Sequence, residues 1–221
     1  MPQKSNSKWK VDWLNHGLEF GVVIIGILIA FQLNQCSTER GQKKLVQDHI
    51  VYVISETEYN QEQLQYALNL SETNMQLIDT LKTLLETGEK IEQINKLTLK
   101  LFAINVAALK ENAFETFVEP GDIRFVKEYE IKAAVFDMYT MYDRVQLTDQ
   151  LALQQYNSYF YPYLLKNMDT YSYSVQPIEK FNSPEFKNNL DSYDYFLSRQ
   201  RGIYEYCLKQ TNEFLAVLQR W

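Results

Sequence analysis

Residues Phe20–Phe31 read FGVVIIGILIAF, an apolar run with no charge and no amide. A helix needs about 20 residues to cross a bilayer core, so the run alone is short. Widened to Leu14–Leu33 it spans roughly 30 Å as a helix. It then takes in Asn15, His16, Glu19 and Gln32 near its ends, where polar side chains can reach the interface. Trp9 and Trp13 precede it, as interfacial aromatics do. Two other readings compete. A cleaved signal peptide needs small residues at its cut site, which Ala30-Phe31-Gln32 does not offer, and Gln35 is too bulky for the position before a lipoprotein cysteine at Cys36. A buried helix of a soluble protein is the plain alternative. We read an uncleaved span. The expected organisation is a tail over 1–13, a transmembrane helix over 14–35 and a helical domain over 36–221. Lys4, Lys8 and Lys10 before the span balance Arg40, Lys43 and Lys44 after it, so loop charge does not set the orientation. An early anchor behind a short tail favours export of the downstream domain, which predicts an inner-membrane protein with a periplasmic domain.

Downstream the pattern is helical throughout. Val46, Ile50, Val53, Leu64, Leu68, Ile78, Leu81 and Leu85 recur at spacings of three and four or their sums, interrupted by Thr57, Asn60, Ser71 and Asn74. No glycine or proline lies between Lys43 and Gly88, so the anchor helix is expected to run on as a long helix that stops near Gly88. A second, less regular helical region is expected from about Lys90 to Val118, closed by the turn Glu119-Pro120-Gly121-Asp122. A third carries Ile131, Val135, Met138, Tyr142, Val145 and Tyr156, with Pro162 as a kink or an end. Residues 172–183 read as a loop. Ser183-Pro184-Glu185 then supplies an N-cap, a first-turn proline and a first-turn acid for a last helix with heptad-like spacing. The expected fold is all-α, an antiparallel bundle into which the anchor helix continues.

The 221 residues carry 22 basic and 28 acidic side chains, a net charge of −6, which argues against a nucleic-acid partner. Two cysteines and two histidines leave no zinc-site spacing, no Glu-x-x-His di-iron motif and no nucleophile elbow. No P-loop or dinucleotide fingerprint is present, so no cofactor is expected. His49 beside Asp48 reads as part of a solvated face, and His16 faces Glu19 at the membrane edge. Glu111, Glu115 and Glu119 read as a solvated acidic face. Cys36 and Cys207 read as unpaired thiols. All tyrosines but Tyr52, Tyr59 and Tyr66 fall between Tyr129 and Tyr206. Tyr156, Tyr159, Tyr161 and Tyr163 form a dense cluster that suits either a docking surface or core packing. Gly17 with Gly21, and Gly26 with Ala30, are small-xxx-small pairs on two helix faces that would admit a second span, so a homo-oligomer is an open alternative.

Glu19–Arg40, EFGVVIIGILIAFQLNQCSTER, resembles the anchor of a Bacteroidota family of single-span membrane proteins classified as a domain of unknown function. The matching residues are Glu19, Gly26, Leu28, Ile29, Ala30, Gln32, Asn34, Glu39 and Arg40. Cys36 stands where that family has tryptophan. Ala113–Tyr139 is similar to the family's central segment through Phe114, Glu115, Gly121, Asp122, Ile123, Arg124, Lys127, Glu130 and Ala134. The resemblance implies a membrane-anchored helical protein and brings no catalytic residue. It also singles out Arg124, as an anion-recognising fork or as a structural lock on the turn.

These readings point to a non-enzymatic interaction, scaffold or assembly protein at the cell envelope, with the bilayer and an unidentified protein as partners. The alternative is a periplasmic sensory bundle that binds a small ligand and signals through a partner. An enzyme with a carboxylate-only site is the third class.

Overall fold

The computed structural model describes residues 13–88, 91–169, 171–172, 174–175 and 178–220. The lysines and Trp9 of the tail, the side chains of Trp13 and His16, and Tyr173 lie outside the described residues. The fold is all-α. In order, α1 spans Trp13–Thr87, α2 Ile91–Lys100, α3 Asn112–Val118, α4 Tyr129–Gln155, α5 Tyr161–Asn167, α6 Ile178–Phe181 and α7 Pro184–Leu218. A 3-10 turn covers Asp122–Phe125 and a π segment covers Tyr156–Phe160. The chain forms two compact units, Met1–Gln47 and Asp48–Trp221.

In the first unit the helix is bare from Leu18 to Leu33. Every large apolar residue from Leu18 to Leu33 is exposed, Phe20 at 67% and Ile27 at 62%. This is one helix long and apolar enough to cross a membrane.

The second unit rests on three seams of strict three-four spacing. On α1 the buried positions run Ile50, Val53, Thr57, Asn60, Leu64, Ala67, Ser71, Asn74, Ile78, Leu81, Leu85. On α4 they run Ile131, Val135, Met138, Tyr142, Val145, Asp149, Ala152 and on into Tyr156. On α7 they run from Phe186 and Leu190 through Gln200, Tyr204, Cys207 and Thr211 to Leu218. An unbroken heptad keeps each seam facing its partners, the condition for bundle packing. Helix direction follows from the cross-links. Lys82 binds Asp191 and Asp194, and Gln61 binds Asn212, so α7 runs antiparallel to α1. On α4, Asp149 meets Gln200 and Tyr204 while Met138 lies beside Phe214, so α4 runs antiparallel to α7 and therefore parallel to α1.

A parallel neighbour requires a return path, and here the expected second helix divides. Helix α2 ends at Lys100, and residues 103–111 have no regular structure before α3. Asn74 Nδ2 donates to the carbonyl of Ala103, whereas Asn60 binds Lys110. Those two asparagines are about 21 Å apart along the helix, so the chain from Ala103 to Lys110 covers about 3 Å per residue, close to full extension. The return path is therefore an extended strand with no sheet around it. Its backbone groups still need partners. Asn60 supplies two, accepting from Lys110 N–H and donating to Lys110 C=O, both at 2.8 Å. Asp149 accepts from Ala107 N–H at 3.0 Å, and Tyr156 donates to Leu101 C=O at 3.2 Å. Glu56 accepts from Ala113 N–H at 3.0 Å and so caps α3 from another helix. Two of the four polar interruptions on α1, Asn60 and Asn74, are thus docking points for main chain.

The turns form as their residues dictate. Gly88 (φ 67°) closes α1 by returning its N–H to Leu84, and Gly121 (φ 81°) lets the chain turn into the 3-10 segment. Ser183 Oγ accepts from Phe186 N–H with Pro184 in the first turn of α7. Pro162 neither ends nor sharply breaks its helix. Lacking an N–H, it is accommodated by the preceding π turn, in which Tyr161 N–H reaches back to Tyr156. The expected loop over 172–183 instead holds Ser174–Val175, which pairs with Met168–Asp169 in a short hairpin, and α6, which buries Phe181 completely.

Replacing Asn60 by leucine strands two backbone groups of Lys110. We expect a loss of about 2–3 kcal/mol in unfolding free energy, read by urea denaturation of the full chain in detergent. A loss below about 0.5 kcal/mol would show that the strand is held by packing alone.

Candidate functional site

The buried carboxylates are the natural place to look for chemistry. Asp149 sits on the α4 seam. It accepts from Tyr204 OH through a short bond, from Gln200 Nε2 at 2.8 Å and from Ala107 N–H. Burial raises its pKa, against the opposing pull of those three donors. Glu56 accepts from Tyr139 OH at 2.6 Å and from Ala113 N–H. Both carboxylates hold the chain's own groups. Glu111, on the expected acidic face, is half-buried and accepts from Gln146 at 2.6 Å. Burial and nearby Asp143 raise its pKa. Among the described residues no group of three or more His, Cys, Asp or Glu is placed to hold a metal ion.

His49 is not solvated as expected. Its ring stacks on Phe117 with centroids 4.7 Å apart and planes at 17°, and its Nε2 pairs with Asp122 at 3.2 Å. It ties α1 to the turn that follows α3. Arg124, two residues on, is exposed and lies over its neighbour Phe125, 4.7 Å from the ring centroid. Among the described residues it has no carboxylate in ion-pair range, so the turn is locked by Gly121 and Asp122 rather than by Arg124.

The tyrosine cluster divides. Tyr156 is buried and stacks on Tyr161. Tyr163 is also buried, and donates to Lys180 C=O at 2.7 Å. Tyr161 is half-buried and packs edge-on against Phe102. Tyr159 alone of the four is exposed, at 63%. The cluster is therefore mostly core, packed with Phe160, Phe181, Phe186 and Tyr193, and does not form a continuous docking surface. Cys36 is exposed, Cys207 is buried, and both are free. Burial pushes the Cys207 thiol up to about 12. Gly17, Gly21 and Gly26 each have open space where a side chain would stand, and Ala30 is exposed.

What sequence reading missed is a groove between α4 and α7, with a cavity of about 400 Å³ open to solvent on one side. Met138, Met141 and Phe214 form its buried floor, and Asp137, Glu213 and Arg144 stand on its rim. Met138 and Phe214 belong to the heptad seams while the rim residues fall just off them, so no local pattern marks the groove.

No protein-family model, no curated protein and no solved structure matches the chain.

The polar core carries its own test. In the Asp149→Asn variant one carboxylate oxygen becomes a donor, leaving either Ala107 N–H or the Tyr204–Gln200 pair unanswered. The expected cost is about 1–3 kcal/mol. The folded-state pKa of Asp149 is raised, so its stabilising contribution is fully present below its unfolded value and declines as pH rises through the folded one. The cost of the substitution should accordingly be larger near pH 4 than at pH 8 in parallel urea titrations. A pH-independent cost, or none, would remove the charge of Asp149 from the account.

Proposed function

We propose that this chain is a membrane-anchored, non-enzymatic interaction protein. Its first unit is the single-span anchor, and its helical unit presents a binding surface on the periplasmic side of the inner membrane. The observation that carries the reading is the exposed apolar helix from Leu18 to Leu33. Leaving so many large apolar side chains in water has no compensation within the described residues, whereas a bilayer removes the cost. The non-enzymatic part is supported by the use of both buried carboxylates, Glu56 and Asp149, to hold main chain. The resemblance to the Bacteroidota single-span family belongs to this proposal. Phe114 of its central segment packs on Phe136 and Tyr139, and Asp122 holds His49, so the likeness falls on residues with structural work. The sensory alternative would place a small ligand in the α4–α7 groove. Its open side suits a macromolecular partner better.

Two measurements test the anchor. After alkaline carbonate extraction, wild-type protein should stay in the membrane pellet. The Ile25→Arg, Leu28→Arg double variant, which puts two charges at mid-span at about 2.5–3.5 kcal/mol each, should move to the supernatant. Wild-type protein in the supernatant would overturn the reading. For orientation, Ser183 is unsuitable as a labelling site because its hydroxyl caps α7. Tyr171, 96% exposed at the hairpin, is suitable. With Cys36 and Cys207 replaced, Tyr171→Cys should react with an impermeant maleimide in intact spheroplasts. Labelling only after lysis would place the domain in the cytoplasm.

A further inference from the structure

The α4–α7 groove continues beyond its cavity. On α4 the residues Asp137, Thr140, Arg144, Leu147 and Leu151 share one outward face at spacings of three and four, and all are exposed. Leu147 is 57% exposed and Leu151 44%. On α7 the same spacing links Gly202, Tyr206, Gln210, Glu213 and Val217, with Tyr206 51% exposed and nothing within 4 Å of the position a Gly202 side chain would take. Two antiparallel helices thus frame a trough whose lining on α4 runs from Ala134 to Arg144, about 15 Å at 1.5 Å per residue, and the exposed face of α4 continues to Leu151, about 25 Å in all. Its floor is apolar and two of its buried members are methionines, which adapt to whatever packs on them. Exposed leucines and a tyrosine extend the apolar strip.

The charges on the rim are ordered. Asp137 and Glu213 stand at one end, on facing helices. Arg144 stands two helical turns further along α4, about 10 Å away. Among the described residues neither Asp137 nor Arg144 has an ion-pair partner, and Glu213 has an exposed ion pair of 3.9 Å with Lys209 and accepts from the neighbouring Gln210 at 3.1 Å. A trough of this length between two helices is the shape a third helix fills. Its rim asks for a cation at one end and an anion two turns along.

We propose that the α4–α7 trough is the surface through which the protein binds an amphipathic helix of a partner protein, whose apolar stripe carries a basic and an acidic residue seven positions apart. The partner's lysine or arginine meets Asp137 and Glu213. Its glutamate or aspartate meets Arg144. The inference rests on the interaction reading above and names the surface that reading leaves open.

The probes are three fluorescein-labelled 18-residue helical peptides with leucine at heptad core positions. They differ only at two flanking positions seven apart, which hold Lys and Glu, Lys and Lys, or Glu and Glu. A helix can lie in a trough in either direction, so like-charged peptides are the informative controls. Binding to the full-length protein in nanodiscs is followed by fluorescence anisotropy. The Lys–Glu peptide should bind at least ten-fold more tightly than either control. The exposed substitution Arg144→Glu should reduce its affinity at least ten-fold and make Lys–Lys the preferred peptide. Equal binding of the three peptides, no binding by any, or a ranking unchanged by Arg144→Glu would overturn the proposal. So would self-association in analytical ultracentrifugation that Arg144→Glu abolishes, which would assign the trough to a second copy of the chain. Membrane retention on carbonate extraction is independent of all these variants, so loss of the trough leaves the anchored-protein reading to stand or fall by its own test.

Discussion

The helical unit depends on a handful of side-chain amides and carboxylates that hold a strand with no sheet. A bundle in which the first two long helices run parallel must carry the chain back along its own length. Residues 103–111 do this in extended form, and extension leaves their N–H and C=O groups without helical or ladder partners. Asn60 and Asn74 from α1, Asp149 from α4 and Gln200 from α7 answer them from three directions. Truncating any one leaves its main-chain partner unanswered, which costs more than the bond itself is worth.

That requirement explains the composition of the seams. A pure leucine seam would bury α1, α4 and α7 against one another, but would give the returning strand nothing to bind. Placing Asn60, Asp149 and Gln200 at heptad positions costs apolar burial and supplies register, because each polar group has one place along the strand where it is satisfied. The far end of the unit has the opposite character. There Phe160, Phe181, Phe186 and Tyr193 pack ring on ring, with centroids from 4.7 to 6.2 Å apart, and the chain reverses through α5, a short hairpin and α6.

Much of the architecture is legible from periodicity. The long α1, its stop at Gly88, the cap at Ser183 and the heptad of α7 all follow from local rules that tertiary context does not override. The extended strand is not legible, because AINVAALK is apolar enough to pass for helix and its true partners lie from about 30 to 95 residues away in sequence. The polar interruptions in α1 are visible but look like defects in a stripe. His49 misleads for the same reason, since Phe117 and Asp122 reach it only through the fold. The tyrosines are conspicuous by number, but number does not distinguish core from surface. The groove has no local signature at all. It exists because two heptad seams face inward and leave the residues beside them outside.

The strand also governs how the sequence can drift. Its partners grip main chain, so the identity of Ile104, Val106, Ala108 or Leu109 matters mainly for bulk. Spacing is a different matter. The contacts at Ala103, Ala107 and Lys110 are fixed to two rigid helices, α1 and α4, at set heights, so the strand behaves as a measured rung count between them. Substitutions within it should be freely interchangeable over generations, while a single inserted or deleted residue would put every clasp out of step at once.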